Sequence, residues 1–382
     1  MITRDKNTYD VLGAALGGRP YQLFVDDMFA TKYNNPEFAR IFPWGIPQID
    51  FTYEQMEATV GLIPMATIVD YDSPAPLRGT QGASLSTGSI PRMKHGFVIN
   101  EKEIRTQMVL VQQGANINLP ALQKILFNST DNLIGGNYMR LTHMALEAES
   151  TGAYVVSSAN NPDGISLSFD FNVPATNKKK CGFGTYGTKY AWSNDLANPI
   201  GDLQDLVQFA DDNFKAYGVI RMSKPTWRKF IAQKTVRERV YLGQGYINIS
   251  DMPTGWQPLE DQVRGLLARL SLPPIEVVDS ICATEKYDKA TKKLVWTQTK
   301  PFADDVVLLR PAGAIGETKC AVPIIIPDPA ARQATFDGGR TLLIQTFDAE
   351  MKTQKIQSEL TALPVLSKPK QMIYLDVAHV AD

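Results

Sequence analysis

One stretch of the sequence, residues 118–150, constrains the fold more than any other. It reads NLPALQKILFNSTDNLIGGNYMRLTHMALEAES. Its apolar residues recur at spacings of three and four, the period of one face of an α-helix. Asn118 can cap the start, and Pro120 fits a first helical turn, where no backbone donor is lost. The pattern predicts one helix over residues 119–149, about 45 Å long at about 1.5 Å per residue.

Two adjacent glycines, Gly135 and Gly136, lie near the middle of this segment. Glycine is a poor helix former, so a long helix bends or breaks most easily there. We therefore expect the pair to give the helix a flexible point. The alternative is two ordinary core helices separated by a Gly-Gly turn.

The stretch Asp70–Gly96 has too few apolar residues to pack on itself. It contains four Gly, three Pro and four Ser, and β-prone runs precede and follow it. Strand, irregular tip and strand predict a long projecting hairpin with a positively charged tip. The alternative is a disordered surface loop. The candidate residues for contact with a neighbouring molecule are Arg78, Leu85, Ile90, Arg92 and Lys94.

The rest of the chain separates into three kinds of pattern. Residues 1–50 carry many aromatic side chains with little periodicity, which predicts an extended arm that packs on a neighbouring molecule or on its own domain. A β-hairpin is predicted after the long helix. Helical and strand patterns alternate over residues 191–335, which predicts a separate α/β domain. The last strand is expected to return to the sheet that begins near residue 155.

Residues with catalytic or ligand-binding chemistry are scattered. The three cysteines, Cys181, Cys282 and Cys320, are far apart, so we expect reduced and buried thiols. The three histidines are equally dispersed, and metal sites favour close-spaced ligands. Glycines at 182, 184 and 187 satisfy the GxGxxG spacing, but a preceding strand, a following helix and an acidic partner are missing from the pattern. We therefore expect no cofactor, no metal and no catalytic residue.

Charged clusters give little sign of a reaction. Asp211–Asp212 and Asp304–Asp305 are adjacent pairs, whereas acid–base catalysis needs two carboxyl groups facing one cleft. The run Lys178–Lys180 is either solvated or an inter-subunit or phosphate contact. The net charge of −1 indicates no broad basic surface for duplex nucleic acid. No apolar run has the length of a membrane span, and the N-terminal one is too short for a signal peptide.

The order of these elements resembles the major capsid proteins of tailed bacteriophages, which have the Hong Kong 97-type fold, and in particular the lambda-like major capsid protein E family. Residues 119–149 resemble the spine helix of that family, which runs directly into a hairpin, here AYVV and ISLSFDF. Trp192–Leu206 resembles the entry to its axial domain, and Val219–Phe230 its strand-then-helix. Its late strand and closing segment are similar to DDVVLLRPAGAIG and QSELTALPVLSKPKQMIYLDV.

The resemblance implies an α+β fold of five parts. These are an N-terminal arm (1–50), an extended loop with its strands (51–100), a peripheral domain with the spine helix (101–190), an axial domain (191–335) and a return to the peripheral domain (336–382). It also implies a structural protein without enzymatic activity. Such a subunit assembles into hexamers and pentamers that form an icosahedral shell around double-stranded DNA.

The resemblance implies partners as well. They are copies of the chain itself, a scaffolding protein, a portal, a decoration protein and packaged DNA held by non-specific contact, with no membrane. The expected location is the virion, after assembly in the host cytoplasm. Lys94 is the only lysine of Asp70–Gly96, so no covalent lysine cross-link is expected there. Two alternatives stay open: an encapsulin-like shell of the same fold, and a hydrolase-type enzyme that uses residues 191–335.

Overall fold

The computed structural model describes residues 21–29, 32–33, 35–58, 83–103, 105, 119–161, 164–246, 248–288, 293–327, 331–348, 350 and 352–381. Within them, the helices are α1 (Tyr21–Phe29), α2 (Glu37–Ile41), α3 (Leu119–Thr151), α4 (Pro199–Asp212), α5 (Lys224–Ala232), α6 (Lys234–Gly243) and α7 (Glu260–Arg269). The strands are β1 (Thr52–Ala58), β2 (Ala83–Ser89), β3 (Arg92–Ile99), β4 (Ala153–Val156), β5 (Leu167–Asp170), β6 (Lys178–Cys181), β7 (Val219–Ser223), β8 (Ile275–Val278), β9 (Cys282–Asp288), β10 (Lys293–Thr299), β11 (Val306–Arg310), β12 (Gly316–Ala321), β13 (Ala331–Phe336), β14 (Thr341–Asp348), β15 (Thr353–Leu366) and β16 (Ile373–Val380).

The chain divides into two compact units, each assembled from segments that are distant in sequence. The first comprises Met1–Tyr53, Gly88–Thr142 and Glu317–Val365, and the second Glu54–Thr87, His143–Gly316 and Leu366–Asp382. The α+β class predicted from the sequence is confirmed, and arm, hairpin strands, long helix and α/β region follow in the order expected for the Hong Kong 97-type fold. Among the described helices, none combines the length and the apolar character needed to cross a membrane.

The long helix is confirmed as α3, which runs without interruption through Gly135 and Gly136. The alternative of two helices separated by a turn is therefore wrong. The helix ends where Gly152 adopts a φ of 74°, and the Gly152 amide donates to the Ala148 carbonyl at 2.9 Å. A glycine in the left-handed region is a common helix terminator, because it has no Cβ to clash.

The first unit is built around an antiparallel sheet. Its strand order is β12-β15-β14-β13, and β3 pairs with the edge of β15 that β14 leaves open. Side chains alternate along the first half of β15, so that Ile356, Ser358 and Leu360 are buried while the residues between them are less so. This period of two is what a sheet with one core face requires.

The second unit contains a five-stranded mixed sheet in the order β6-β16-β11-β7-β8. The pairs β16–β6 and β7–β8 are parallel, and β11 is antiparallel to both of its neighbours. Asn198 and Ser223 cap α4 and α5, because each side-chain oxygen accepts a hydrogen bond from an amide of the first helical turn. Helices α4 to α7 contribute to one core, whose largest buried side chains are Trp192, Trp227 and Phe230.

The sequence predicts that the last strand returns to the sheet that begins near residue 155, and this prediction is wrong. Strand β16 lies between β6 and β11, whereas β4 pairs with β5 in a separate two-stranded sheet. The reason is the nearly continuous apolar run of β16. Its residues Ile373, Leu375 and Val377 are buried in the core of the second unit, which suits a central strand. The sheet of the predicted 191–335 domain thus includes β6 and β16, and β12 and β13 belong to the other sheet.

Candidate assembly surfaces

The hairpin predicted at Asp70–Gly96 lies partly outside the described residues, and Arg78 is among those outside. The return strand predicted from His95 onward is part of β3, which pairs with β15 and not with the first strand, so this part of the prediction is wrong. Strand β1 pairs instead with β2, which contains Leu85 and lies within the predicted tip, in a two-stranded sheet. Such a ribbon is marginally stable by itself and needs a surface to pack on. Ile90 follows β2, is only 5% exposed, and its amide donates to the Phe51 carbonyl at 2.6 Å. Ile90 therefore anchors the base of the ribbon in its own chain.

Arg92 and Lys94 share one carboxylate of the same chain. Arg92 Nε lies 3.3 Å from Glu359 Oε1, and Lys94 Nζ lies 3.1 Å from Glu359 Oε2. The Arg92 guanidinium also lies 5.3 Å from the centre of the Phe51 ring. Because 45% and 57% of the two side chains remain exposed, each such pair contributes only about 0 to 1 kcal/mol. Both cations retain surface for another contact, and their role between subunits stays a prediction.

Gly135 and Gly136 permit close packing on the helix. A Cβ on Gly136 would lie 2.4 Å from His95 Nδ1, and a Cβ on Gly135 would lie 3.1 Å from the Tyr33 hydroxyl. Strand β3 and the arm therefore approach the helix backbone at this point, and larger side chains would hold them away. Sequence reasoning missed this packing role. The role of the pair as a flexible point stays a prediction.

The described part of the N-terminal arm packs on its own unit. Phe29, Phe38 and Phe42 are fully buried, and the Tyr33 hydroxyl donates to Asp131 Oδ1 at 2.5 Å. The Tyr33 and Phe38 rings meet the Tyr138 ring of α3 edge-on, at 5.1 and 5.5 Å between centres. For these residues the expectation of burial on a neighbouring molecule is wrong. The arm is close enough to its own helix and sheet for its aromatic residues to be buried there.

The glycine-rich loop at 182–187 encloses carboxylates of its own chain. The amides of Thr185 and Tyr186 donate to Asp205 Oδ1, each at 2.9 Å, and that of Gly187 donates to Asp205 Oδ2 at 2.7 Å. A Cβ on Gly184 would lie 2.2 Å from the Asp205 carboxyl carbon. The glycines therefore allow a protein carboxylate to approach the backbone. A phosphate would need these same amides, which are already engaged.

Asp202, in the first turn of α4, completes this arrangement. It accepts hydrogen bonds from the Trp192 indole at 2.8 Å and the Gly182 amide at 3.1 Å. Burial raises the pKa of Asp202 from its ordinary value to about 6, although the bonds from Trp192 and Gly182 oppose this shift. The two aspartates fix the start of the α/β region, and sequence reasoning missed both.

A buried charge cluster forms where α3 ends. Glu149 is fully buried and lies 2.7 Å from Arg221 Nη1 of β7 and 2.7 Å from Arg310 Nε of β11. The Tyr374 hydroxyl of β16 donates to the Glu149 carbonyl at 3.0 Å. The half-exposed Glu276 lies farther from the same two arginines, at 3.5 and 3.9 Å. The cluster ties the end of the helix to three strands of the five-stranded sheet.

The remaining charged residues singled out in the sequence have separate partners. Asp304 accepts a hydrogen bond from the Ser223 hydroxyl at 2.6 Å, and Asp305 pairs with Lys229 at 2.5 Å, so the two carboxylates do not act as one pair. In the lysine run, Lys179 Nζ lies 3.8 Å from the centre of the Phe209 ring. Partial burial lowers the pKa of Lys179. Lys178 and Lys180 are exposed.

Comparisons with solved structures give distant likenesses to phage proteins. A phage-related protein of Bordetella bronchiseptica RB50 is 14% identical, with a TM-score of 0.45 and 96% of each chain covered. A protein assigned as the capsid protein of an Escherichia coli CFT073 prophage is 13% identical, with a TM-score of 0.46 over 97% of this chain and 99% of that one. The bacteriophage PhiM1 mature capsid is 8% identical, with a TM-score of 0.41 over 90% of this chain and 87% of that one.

Among curated proteins, no sequence matches this chain. The TM-scores above are low, so the assignment depends on the family comparison. The family described as phage major capsid protein E matches residues 32–373, which is most of the chain. The matched range includes the long helix, the α/β region and the strands β1 to β15, and it ends at Ile373, the first residue of β16. The chain belongs to the phage major capsid protein E family, and it is a shell-forming structural protein.

Proposed function

We propose that this chain forms hexamers and pentamers that close an icosahedral phage head around double-stranded DNA. The observation that carries the proposal is the family match over residues 32–373. A shell subunit of this kind needs extended pieces that reach identical neighbours, and the ribbon β1–β2 is such a piece. We place its tip, with Arg78, across an adjacent subunit. Arg92 and Lys94 lie on β3, and we propose them as further cationic contacts.

The protein acts as structure and catalyses no reaction in this proposal. The described carboxylates of the 191–335 region support this, because they bind groups of their own chain. Asp202 and Asp205 accept hydrogen bonds from loop amides and an indole, and Asp304 accepts one from a serine. None of these contacts offers the open pair of carboxyl groups that a hydrolase of the glycosidase type requires.

Assembly takes place in the host cytoplasm and ends in the virion. We expect a scaffolding protein, a portal and a decoration protein as further partners. Packaged DNA contacts the inner surface without sequence preference, since the net charge of −1 gives no strong attraction to phosphates.

Negative-stain electron microscopy of the purified chain tests this function, with and without the neighbouring phage proteins. Uniform closed shells or hexameric rings are the expected result. A single-chain species at micromolar concentration in both preparations contradicts the proposal. Shells purified from infected or packaging-competent cells should contain DNA. Shells that consistently enclose a cargo protein instead would assign the chain to an encapsulin-like compartment.

A further inference from the structure

Two segments of the first unit expose aliphatic side chains to an unusual degree. Ile46 and Ile49 are 87% and 92% exposed, and Ile324 and Ile326 are 74% and 71% exposed. Single exposed apolar residues are ordinary, whereas a contiguous group marks an interaction site. We name this group the isoleucine patch; its members are Ile46, Ile49, Val322, Ile324, Ile325 and Ile326.

The two segments lie side by side. The Gln48 amide donates to the Cys320 carbonyl, and the Val322 amide donates to the Gln48 carbonyl, both at 2.9 Å. The segment that contains Ile46 therefore runs along β12 in parallel, with a bridge between Gln48 and Ala321. Ile49 follows this bridge on one segment and Val322 follows it on the other. The exposed side chains of the two segments therefore begin from neighbouring stretches of backbone.

The patch is held in place before any partner arrives. Gln333 Nε2 donates to the Ile326 carbonyl at 2.6 Å, which fixes the far end of the second segment to β13. Four prolines restrict the backbone: Pro43, Pro47, Pro323 and Pro327. A preordered surface loses little conformational entropy on docking. Since proline cannot donate to a β-ladder, these residues also disfavour open-ended strand addition.

The charges around the patch narrow the kind of partner. Residues 41–49 and 320–327 contain no charged side chain. The cations beside them contact groups of the same chain: Arg340 Nη2 donates to the Gly45 carbonyl at 3.5 Å, and Lys319 Nζ lies 2.7 Å from Glu317 Oε2. The two segments themselves therefore supply no cation for the phosphates of nucleic acid. Asp50 and Asp328 flank the two segments in sequence and disfavour an anionic lipid surface. Aliphatic and free of charge, the patch has the composition of the core of a protein–protein interface.

We propose that the isoleucine patch is a contact between subunits, covered by another copy of this chain in the assembled shell. This inference rests on the proposed function, because shell assembly surrounds each subunit with identical chains. Every copy of the chain presents the same preordered patch. In a closed shell, symmetry therefore repeats one contact between the patch and a neighbouring copy at every equivalent position. The contact is separate from the one proposed for the tip of the β1–β2 ribbon.

Hydrogen–deuterium exchange on wild-type protein tests the proposal directly. Exchange is compared between unassembled subunits and shells formed by this chain alone. Residues 44–50 and 321–327 should exchange at least tenfold more slowly in the shells. Equal exchange in both states overturns the inference. Protection that appears only after a second phage protein is added also overturns it, because the partner is then not a copy of this chain.

A paired variant provides the second test. Ile324→Asp with Ile326→Asp should lower the yield of shells at least tenfold while the far-UV circular dichroism stays that of the wild type. The matched control is Leu196→Asp with Leu259→Asp, which changes two side chains that are 62% and 69% exposed elsewhere in the chain. If the wild type forms shells and the patch variant forms them with the same yield, this inference is overturned and the proposed function is unaffected. Absence of shells in the wild type, also after addition of the neighbouring phage proteins, contradicts the proposed function instead.

Discussion

Single buried residues set the local chemistry of this subunit. Asp202 is a carboxylate placed among an indole, a backbone amide and a neighbouring aspartate, where solvent does not reach. No spacing rule marks such a residue in advance, because its partners come from the 182–192 loop and from its own helix. The glycine spacing of that loop is visible in the sequence, but the group that requires the glycines is visible only in the fold.

The pKa of Asp202 predicts how its contribution to stability depends on pH. In the folded chain burial raises this pKa to about 6, above its ordinary value, so the folded state binds the proton more tightly than the unfolded state. The contribution is fully present below pH 4 and is lost as the pH rises through 6. The difference is on the order of 3 kcal/mol.

The measurement is chemical denaturation of the wild type and of Asp202→Asn between pH 4 and pH 7.5. The free energy of unfolding of the wild type, relative to the variant, should fall as the pH rises. Protein concentration and assembly state are held constant, because association shifts apparent stability. Parallel pH profiles for the two proteins contradict this prediction.

Replacement of glycine by alanine should have different effects on stability at Gly136 of α3 and at Gly265 of α7. Gly→Ala in a helix normally stabilises by about 1 kcal/mol. At Gly136 the new methyl would meet the His95 ring at 2.4 Å, and overpacking of this kind costs about 1 to 3 kcal/mol. We expect Gly136→Ala to be neutral or destabilising.

Gly265 is the matched control for this substitution. It lies in α7, and a Cβ there would meet no atom within 4 Å. Gly265→Ala should therefore raise the free energy of unfolding by about 1 kcal/mol. Thermal or chemical denaturation measures both variants. Equal stabilisation at both positions would show that Gly136 has no packing role.

At the level of elements, the end of the long helix is fixed by charge. Glu149 is the final acidic residue of α3. Arg221 interrupts the apolar strand VIRMS, and Arg310 ends the apolar strand VVLLR. A charge inside an apolar strand is a usable sequence signal for a buried ion pair. The helix itself was predictable from its period, whereas its partner strands were not. They come from points 72 and about 160 residues further along the chain.

Removal of this buried carboxylate should be costly. Glu149→Gln leaves two buried guanidinium groups with only the half-exposed and more distant Glu276 as a counter-charge. Breaking a buried pair costs about 3 to 5 kcal/mol. Glu276→Gln is the control, because Glu276 is near the same two arginines but its side chain is 58% exposed. That change should cost about 0 to 1 kcal/mol. Similar losses for the two variants in denaturation experiments contradict the assigned role of Glu149.

Strand partners were the least predictable elements. The apolar run of β16 indicates a buried strand, but nothing in it specifies β6 and β11 as neighbours rather than β4. Pairing between strands far apart in sequence depends on the whole core, since a β-run matches many edges equally well. For the same reason the arm over residues 21–44 was recognisable as aromatic, but the surface that buries it was not.

At the scale of the molecule, the order of the elements carried the resemblance to the family. Arm, ribbon, long helix and α/β region can be read from turn signals and periodicity, and they agree with the family match over residues 32–373. The isoleucine patch was not identified from the sequence, although its two runs contain no charged residue. Its exposure became apparent only in the fold, because an apolar run in a sequence ordinarily indicates a core strand.

The assembly account therefore depends on specific surfaces. The described arm is buried in its own chain. We propose that contacts between copies are made by the tip of the β1–β2 ribbon and by the isoleucine patch. The isoleucine patch has exposed aliphatic side chains, and the partly exposed cations Arg92 and Lys94 follow the ribbon in sequence. In this proposal a closed shell repeats each contact in every subunit.

Sedimentation velocity of the purified chain, over a concentration series, tests the central claim that this polypeptide builds shells from copies of itself. The account predicts a discrete, fast-sedimenting species many times the mass of one chain, whose fraction rises with concentration. A folded species with the mass of one chain at every concentration, also after addition of the neighbouring phage proteins, would contradict it.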